Sequence, residues 1–163
     1  MQSDPIGLWD GWETYGYVDS QPLAWGDYFG LAMTVTSTRT GRVVHNDPNY
    51  LSPCLPGTSP SAKGKAGETE MLKLVNQGSI PAISGTAVRN TSNNVAPPSG
   101  RRGRARTDGV INGGRGRPPI GLEAKCGPCA GPTKHQRQNY KPAVSPNRGT
   151  RRQFMDIFII RFT

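Results

Sequence analysis

Apolar and polar positions along this chain fall into short patches separated by breaks rich in glycine and proline. Two patches have the length and residue types of strands: Arg106-Thr107-Asp108-Gly109-Val110-Ile111 and Ile120-Gly121-Leu122-Glu123-Ala124-Lys125. The Gly/Arg/Pro stretch between them has the make-up of a hairpin loop. A third apolar run, Phe154 to Phe162, predicts a final strand. Helix formers cluster from about Gly67 to Gln77, with acids near the start and Gly78 as a stop. Thr133 to Tyr140 predicts a second, more polar helix that Pro142 should end. Weaker signals place strands at Ala32–Ser37 and within 79–88. Asn46–Ser61 and Asn90–Gly103 read as loops. The order helix, strands, helix, strand predicts an α/β fold, a small mixed sheet flanked by helices with long irregular Gly/Pro-rich loops.

Composition limits the size of that fold. The chain has 163 residues, 34% of them hydrophobic, with 21 Gly and 15 Pro. That supports a core of only about 80–100 residues. The expected division is 1–31, a tryptophan- and tyrosine-bearing leader; 32–62, a linker; and 63–163, the main domain. No apolar stretch approaches a membrane span, and the N-terminus shows no Sec signal peptide.

Charge adds a partner. The formal net charge is +9, and six arginines crowd one segment: Arg101, Arg102, Arg104, Arg106, Arg115 and Arg117, with Asp108 the lone acid among them. Such a cluster predicts contact with a polyanion, nucleic acid above all. Gly114-Arg115-Gly116-Arg117-Pro118 has the make-up of an AT-hook core, and it reads as a substrate-gripping loop that contacts phosphates.

The candidate chemistry lies on the two strands. Positions i and i+2 of a strand share a face, so Glu123 and Lys125 point to one site. Two carboxylates, Asp108 and Glu123, with one ammonium at the ends of paired strands can hold a hard divalent cation and its water. Cys126-Gly127-Pro128-Cys129 spells a thioredoxin-type motif, but no strand-then-helix context surrounds it. With Cys54, His45 and His135 at no zinc-like spacing, plain thiols are expected.

This arrangement resembles the PD-(D/E)xK nuclease superfamily, with its restriction-endonuclease-like fold. The resemblance implies that Asp108 and Glu123 coordinate Mg²⁺, with Mn²⁺ as a substitute, and that Lys125 positions or activates the attacking water. It implies a metal-facing Glu on the first helix, with Glu68 the match and Glu70 the competitor. It also implies a Gln and a Tyr on the helix after the Lys, matched by Gln136 as a further catalytic group and Tyr140 as a nucleic-acid contact. The family's Pro before the Asp is absent, replaced by Arg106-Thr107.

The leader carries a second resemblance. Asp4-Pro5-Ile6-Gly7-Leu8, Thr14-Tyr15-Gly16-Tyr17-Val18, Pro22-Leu23 and Asp27-Tyr28-Phe29-Gly30-Leu31 resemble the end of the core of Rhs/YD-repeat proteins. Those are bacterial polymorphic toxins whose repeat shell encloses a variable C-terminal toxin. The resemblance implies self-cleavage after Leu31 with Asp27 taking part, and a shell from which the toxin is released. It further implies contact-dependent or type VI-like delivery into the cytoplasm of a target cell and a cognate immunity protein. Together the resemblances imply a metal-dependent DNase toxin. The competing readings are an RNase of the same class, a non-catalytic basic nucleic-acid-binding module, and an inactive cassette.

Overall fold

The computed structural model describes residues 32–91, 94–95, 105–127, 130–145 and 151–163. The leader, with Asp27 and Leu31, lies outside them. The described chain is mixed α/β: a six-stranded sheet and two helices, with a separate two-stranded ribbon. Strands β1 (Met33–Ser37) and β2 (Val43–Asp47) form a hairpin, and helix α1 (Pro60–Asn76) follows. Short strands β3 (Ala87–Arg89), β4 (Asn94–Val95), β5 (Ala105–Arg106) and β6 (Gly109–Ile111) come next. Then come β7 (Ile120–Cys126), helix α2 (Lys134–Val144) and β8 (Ile157–Phe162). The sheet order is β2-β1-β8-β7-β6-β3, and β4 pairs with β5. Every neighbouring pair is antiparallel except β7 and β8, which run parallel with α2 as the crossover.

Strand alternation splits the core in two. Leu122 of β7 and Phe158, Ile160 and Phe162 of β8 share one face with Met71, Leu74 and Val75 of α1. Val110 of β6 and Ile157 of β8 meet Tyr140, Ala143 and Val144 of α2 on the other. β7 is therefore covered on both faces, and Glu123 sits in its middle.

Three expectations are corrected. The stretch 32–62 is not merely a linker, because β1 pairs with β8 over five residues and Met33 and Val35 are core. The α1 helix starts seven residues earlier than the helix formers suggested. Ser59 accepts a hydrogen bond from the Ala62 N–H, and Pro60 opens the helix where a missing N–H costs nothing. α2 does not stop at Pro142. That ring removes only one intrahelical bond, to Gln138, and the burial of Ala143 and Val144 carries the helix two residues further.

The cysteines are corrected as well. Cys54 and Cys126 form a disulfide that joins the loop before α1 to the last residue of β7. Gly67 lets α1 pass close by, since a Cβ there would lie 3.2 Å from the Cys126 Sγ. Cys129 lies outside the described residues.

Candidate active site

The site is assembled where β6 and β7 part. Their register ends with Gly109 opposite Leu122, so Asp108, just before β6, lies beside the Glu123-Ala124 stretch of β7. Asp108 is not within a strand but at a bend between β5 and β6. The buried Thr107 fixes that bend: its Oγ1 accepts from Asn90 Nδ2 at 3.0 Å and donates to the Gly109 carbonyl at 3.0 Å. Asp108 Oδ2 then accepts the Ala124 N–H at 2.9 Å. Its other oxygen accepts no hydrogen bond from the described residues.

Glu123 is only 2% exposed and is held on three sides. Lys125 Nζ donates to Oε1 at 2.7 Å, and Gln136 Nε2 donates to the same oxygen. The Tyr140 hydroxyl donates to Oε2 at 2.7 Å. Gln136 and Tyr140 are four residues apart on α2 and so share one face. The helix start is fixed by a capping box in which Thr133 and Gln136 satisfy each other's backbone N–H. Burial and the adjacent Glu123 carboxylate push the Tyr140 hydroxyl well above its ordinary pKa, so it remains a donor.

Asp108 is the strained charge in this group. Burial first, then the Glu123 carboxylate, push its pKa up to about 6 from 3.8; Glu68 adds a smaller push, and the Ala124 N–H and Lys125 offset part of it. A carboxyl whose pKa rises on folding lends the fold stability at low pH that is lost as pH climbs through about 6. Without divalent ions, the melting temperature should therefore fall between pH 4 and 7 relative to an Asp108→Asn protein, by the equivalent of about 2 kcal/mol. Paired thermal melts across that range would show it, and parallel curves would refute it.

The other candidates divide. Tyr140 is 1% exposed, so it cannot stack on a base; it holds Glu123, which corrects its assignment as a nucleic-acid contact. Gln136 likewise acts on Glu123. Glu68 does not turn to Asp108 and Glu123 as a ligand but pairs with Arg89, Oε1 to Nε 2.8 Å. Glu70 bonds Tyr50 and Lys73 instead. Among the described residues no three His, Cys, Asp or Glu side chains are grouped to hold a metal. Arg106 is exposed on β5; Arg115 and Arg117 are exposed in the β6–β7 loop, with Arg115 in its tight turn. The loop begins three paired positions from the carboxylates, about 10 Å along the strands. Arg101, Arg102 and Arg104 lie outside the described residues.

Arg89 was missed by sequence reading. It borders an open cleft of about 430 Å³ that also touches Glu68, Arg106 and Asp108. Nothing in its local sequence marks it, because its partner is on α1. No protein-family model, curated protein or solved structure matches this chain.

Proposed function

We propose that the described domain is a metal-dependent nuclease acting on DNA, with Asp108, Glu123 and Lys125 as its reacting centre. The observation that carries the reading is the Asp108 carboxylate bound to the Ala124 N–H beside Glu123, with Lys125 bonded to Glu123. The element order α1, β3, β6, β7, α2, β8 supports it, since it repeats the helix, strands, helix, strand succession behind the nuclease resemblance.

The donor set fits a magnesium ion. Both groups offer hard carboxylate oxygens, and one Asp108 oxygen has no donor among the described residues. Burial first and then repulsion from Glu123 raise the Asp108 pKa, and a divalent cation would relieve the repulsion. Glu123 Oε2, which accepts only the Tyr140 hydroxyl, keeps a lone pair for the ion, whereas Oε1 already accepts from Lys125 and Gln136. When bound, the ion lowers the pKa of its water and draws charge from the phosphate oxygens. The protein's own part is positional. Gln136 and Tyr140 fix the Glu123 carboxylate in one orientation. Lys125, largely buried, holds a positive charge where the attacked phosphate gains negative charge.

The exposed arginines Arg106, Arg115 and Arg117 grip the phosphate backbone on either side. With the leader's resemblance to the Rhs core, the domain is a toxin module delivered into a competing cell. Its partners are then DNA, the parent Rhs shell and an immunity protein, acidic to match the basic face. No helix among the described residues is long and apolar enough to cross a membrane.

The non-catalytic basic module is favoured by one observation, the lack of a grouped three-ligand metal set among the described residues. Offering plasmid and tRNA side by side, with Mg²⁺ or with EDTA, separates the readings. The DNase reading expects plasmid products in Mg²⁺ alone. tRNA products would make it an RNase, and salt-sensitive binding without products would leave the basic module.

A further inference from the structure

The Glu68–Arg89 pair is not explained by the reacting centre. Glu68 is mostly buried on α1, its side chain 19% exposed, whereas the Arg89 side chain is 60% exposed at the sheet edge. An exposed arginine seldom gains much stability from such a pair, so stability alone is a weak reason for it. The pair's position is more telling. Arg89 is the last residue of β3, the next residue's N–H donates to the Asp108 carbonyl at 2.9 Å, and both Arg89 and Arg106 border the cleft that Asp108 lines. The shortest contact of the pair runs from Glu68 Oε1 to the Arg89 Nε, and the exposed arginine side chain carries two further nitrogens that can meet a second acceptor. A guanidinium held this way is prepared for bidentate capture of a phosphate.

We infer that Glu68 orients Arg89 as a clamp for a nucleic-acid phosphate beside Asp108, Arg106 forming the other wall of the same cleft. Glu68 is thus a positioning residue and not a metal ligand. The inference rests on the nuclease reading for its substrate, but its signature is in binding and not in cutting. Equilibrium binding of a short fluorescent DNA duplex in EDTA, followed by anisotropy over a salt series, gives that signature.

Arg89→Ala should weaken binding about tenfold and lower the salt slope by about one. Arg89→Lys should restore the slope but only part of the affinity, because the charge returns without the fork. Glu68→Gln is the decisive variant. Removing an acidic charge beside a polyanion should by itself tighten binding; loss of the orienting partner should instead weaken it, about threefold, with the slope unchanged. If Mg²⁺ raises the melting temperature of the wild type, as the nuclease reading expects, Glu68→Gln should show the same rise. Tighter binding by Glu68→Gln, loss of its Mg²⁺ response, or wild-type binding by a folded Arg89→Ala protein would each overturn the clamp. Plasmid cutting by the wild type alongside such a result would leave the nuclease reading standing. The Arg89 and Glu68 effects without any metal-dependent cutting would sink the nuclease and keep the clamp.

Discussion

Asp108→Asn and Glu123→Ala should each abolish Mg²⁺-dependent cutting, by on the order of a thousandfold or more, yet move stability in opposite directions. Asp108 is ionised at pH 7 against burial and the neighbouring Glu123 carboxylate. The amide of Asn keeps an oxygen for the Ala124 N–H and removes the charge. The metal-free protein should therefore gain about 2 kcal/mol at pH 7, and the gain should fade as pH falls toward 4. Glu123 is the reverse case, because three donors converge on it. Removing it leaves the Gln136 amide and the Lys125 ammonium without this acceptor and the buried Tyr140 hydroxyl with only the Arg106 carbonyl at 3.2 Å, a loss of about 2–4 kcal/mol. Urea denaturation of both variants without metal, beside plasmid cutting with it, checks the pair. A centre kept for chemistry at the expense of stability yields that split; two destabilised variants would mark Asp108 as an ordinary structural carboxylate.

Reduction of the Cys54–Cys126 disulfide should have the second large effect. The bridge spans 72 residues of sequence, so opening it releases unfolded-chain entropy worth about 4 kcal/mol. It ties the approach to α1 to the end of β7, one residue past Lys125. The placement of Asp108 beside Glu123, however, is set by the β6–β7 ladder and the Ala124 N–H, which the bridge does not make. Cutting should accordingly decline only in step with the folded fraction. Urea denaturation with and without a dithiol reductant, with Cys54→Ser as the control for the third thiol, reads the loss. A change below about 1 kcal/mol would contradict it.

How far the sequence foretold this can be traced residue by residue. β6, β7 and β8 were legible because their apolar runs are short and bounded by turn residues, and the Gly/Pro loop announced the hairpin. The i, i+2 spacing of Glu123 and Lys125 and the i, i+4 spacing of Gln136 and Tyr140 are local periodicities, and the structure brings all four together. What is set by distant partners was not legible. Nothing near Met33–Ser37 says that β1 will lie against β8, and nothing near Cys54 names Cys126. The sequence points Tyr140 at nucleic acid and not at Glu123, because a polar helix does not disclose which of its faces the sheet will cover. Glu68 was correctly turned inward beside Leu72 and Val75, but its partner Arg89 comes from a strand that propensity barely marked. The Ser59-Pro60 cap was a readable signal that the run of helix formers overshadowed.

The claim beneath all of this is that Asp108, Glu123 and Lys125 act on one phosphodiester through one divalent ion. Nicking of supercoiled plasmid by the wild-type protein and by Asp108→Asn, in Mg²⁺ and in EDTA, tests it most directly. The account expects nicked and linear products from the wild type in Mg²⁺ alone and none from Asp108→Asn. Equal cutting by the two proteins, or cutting that survives EDTA, would contradict it.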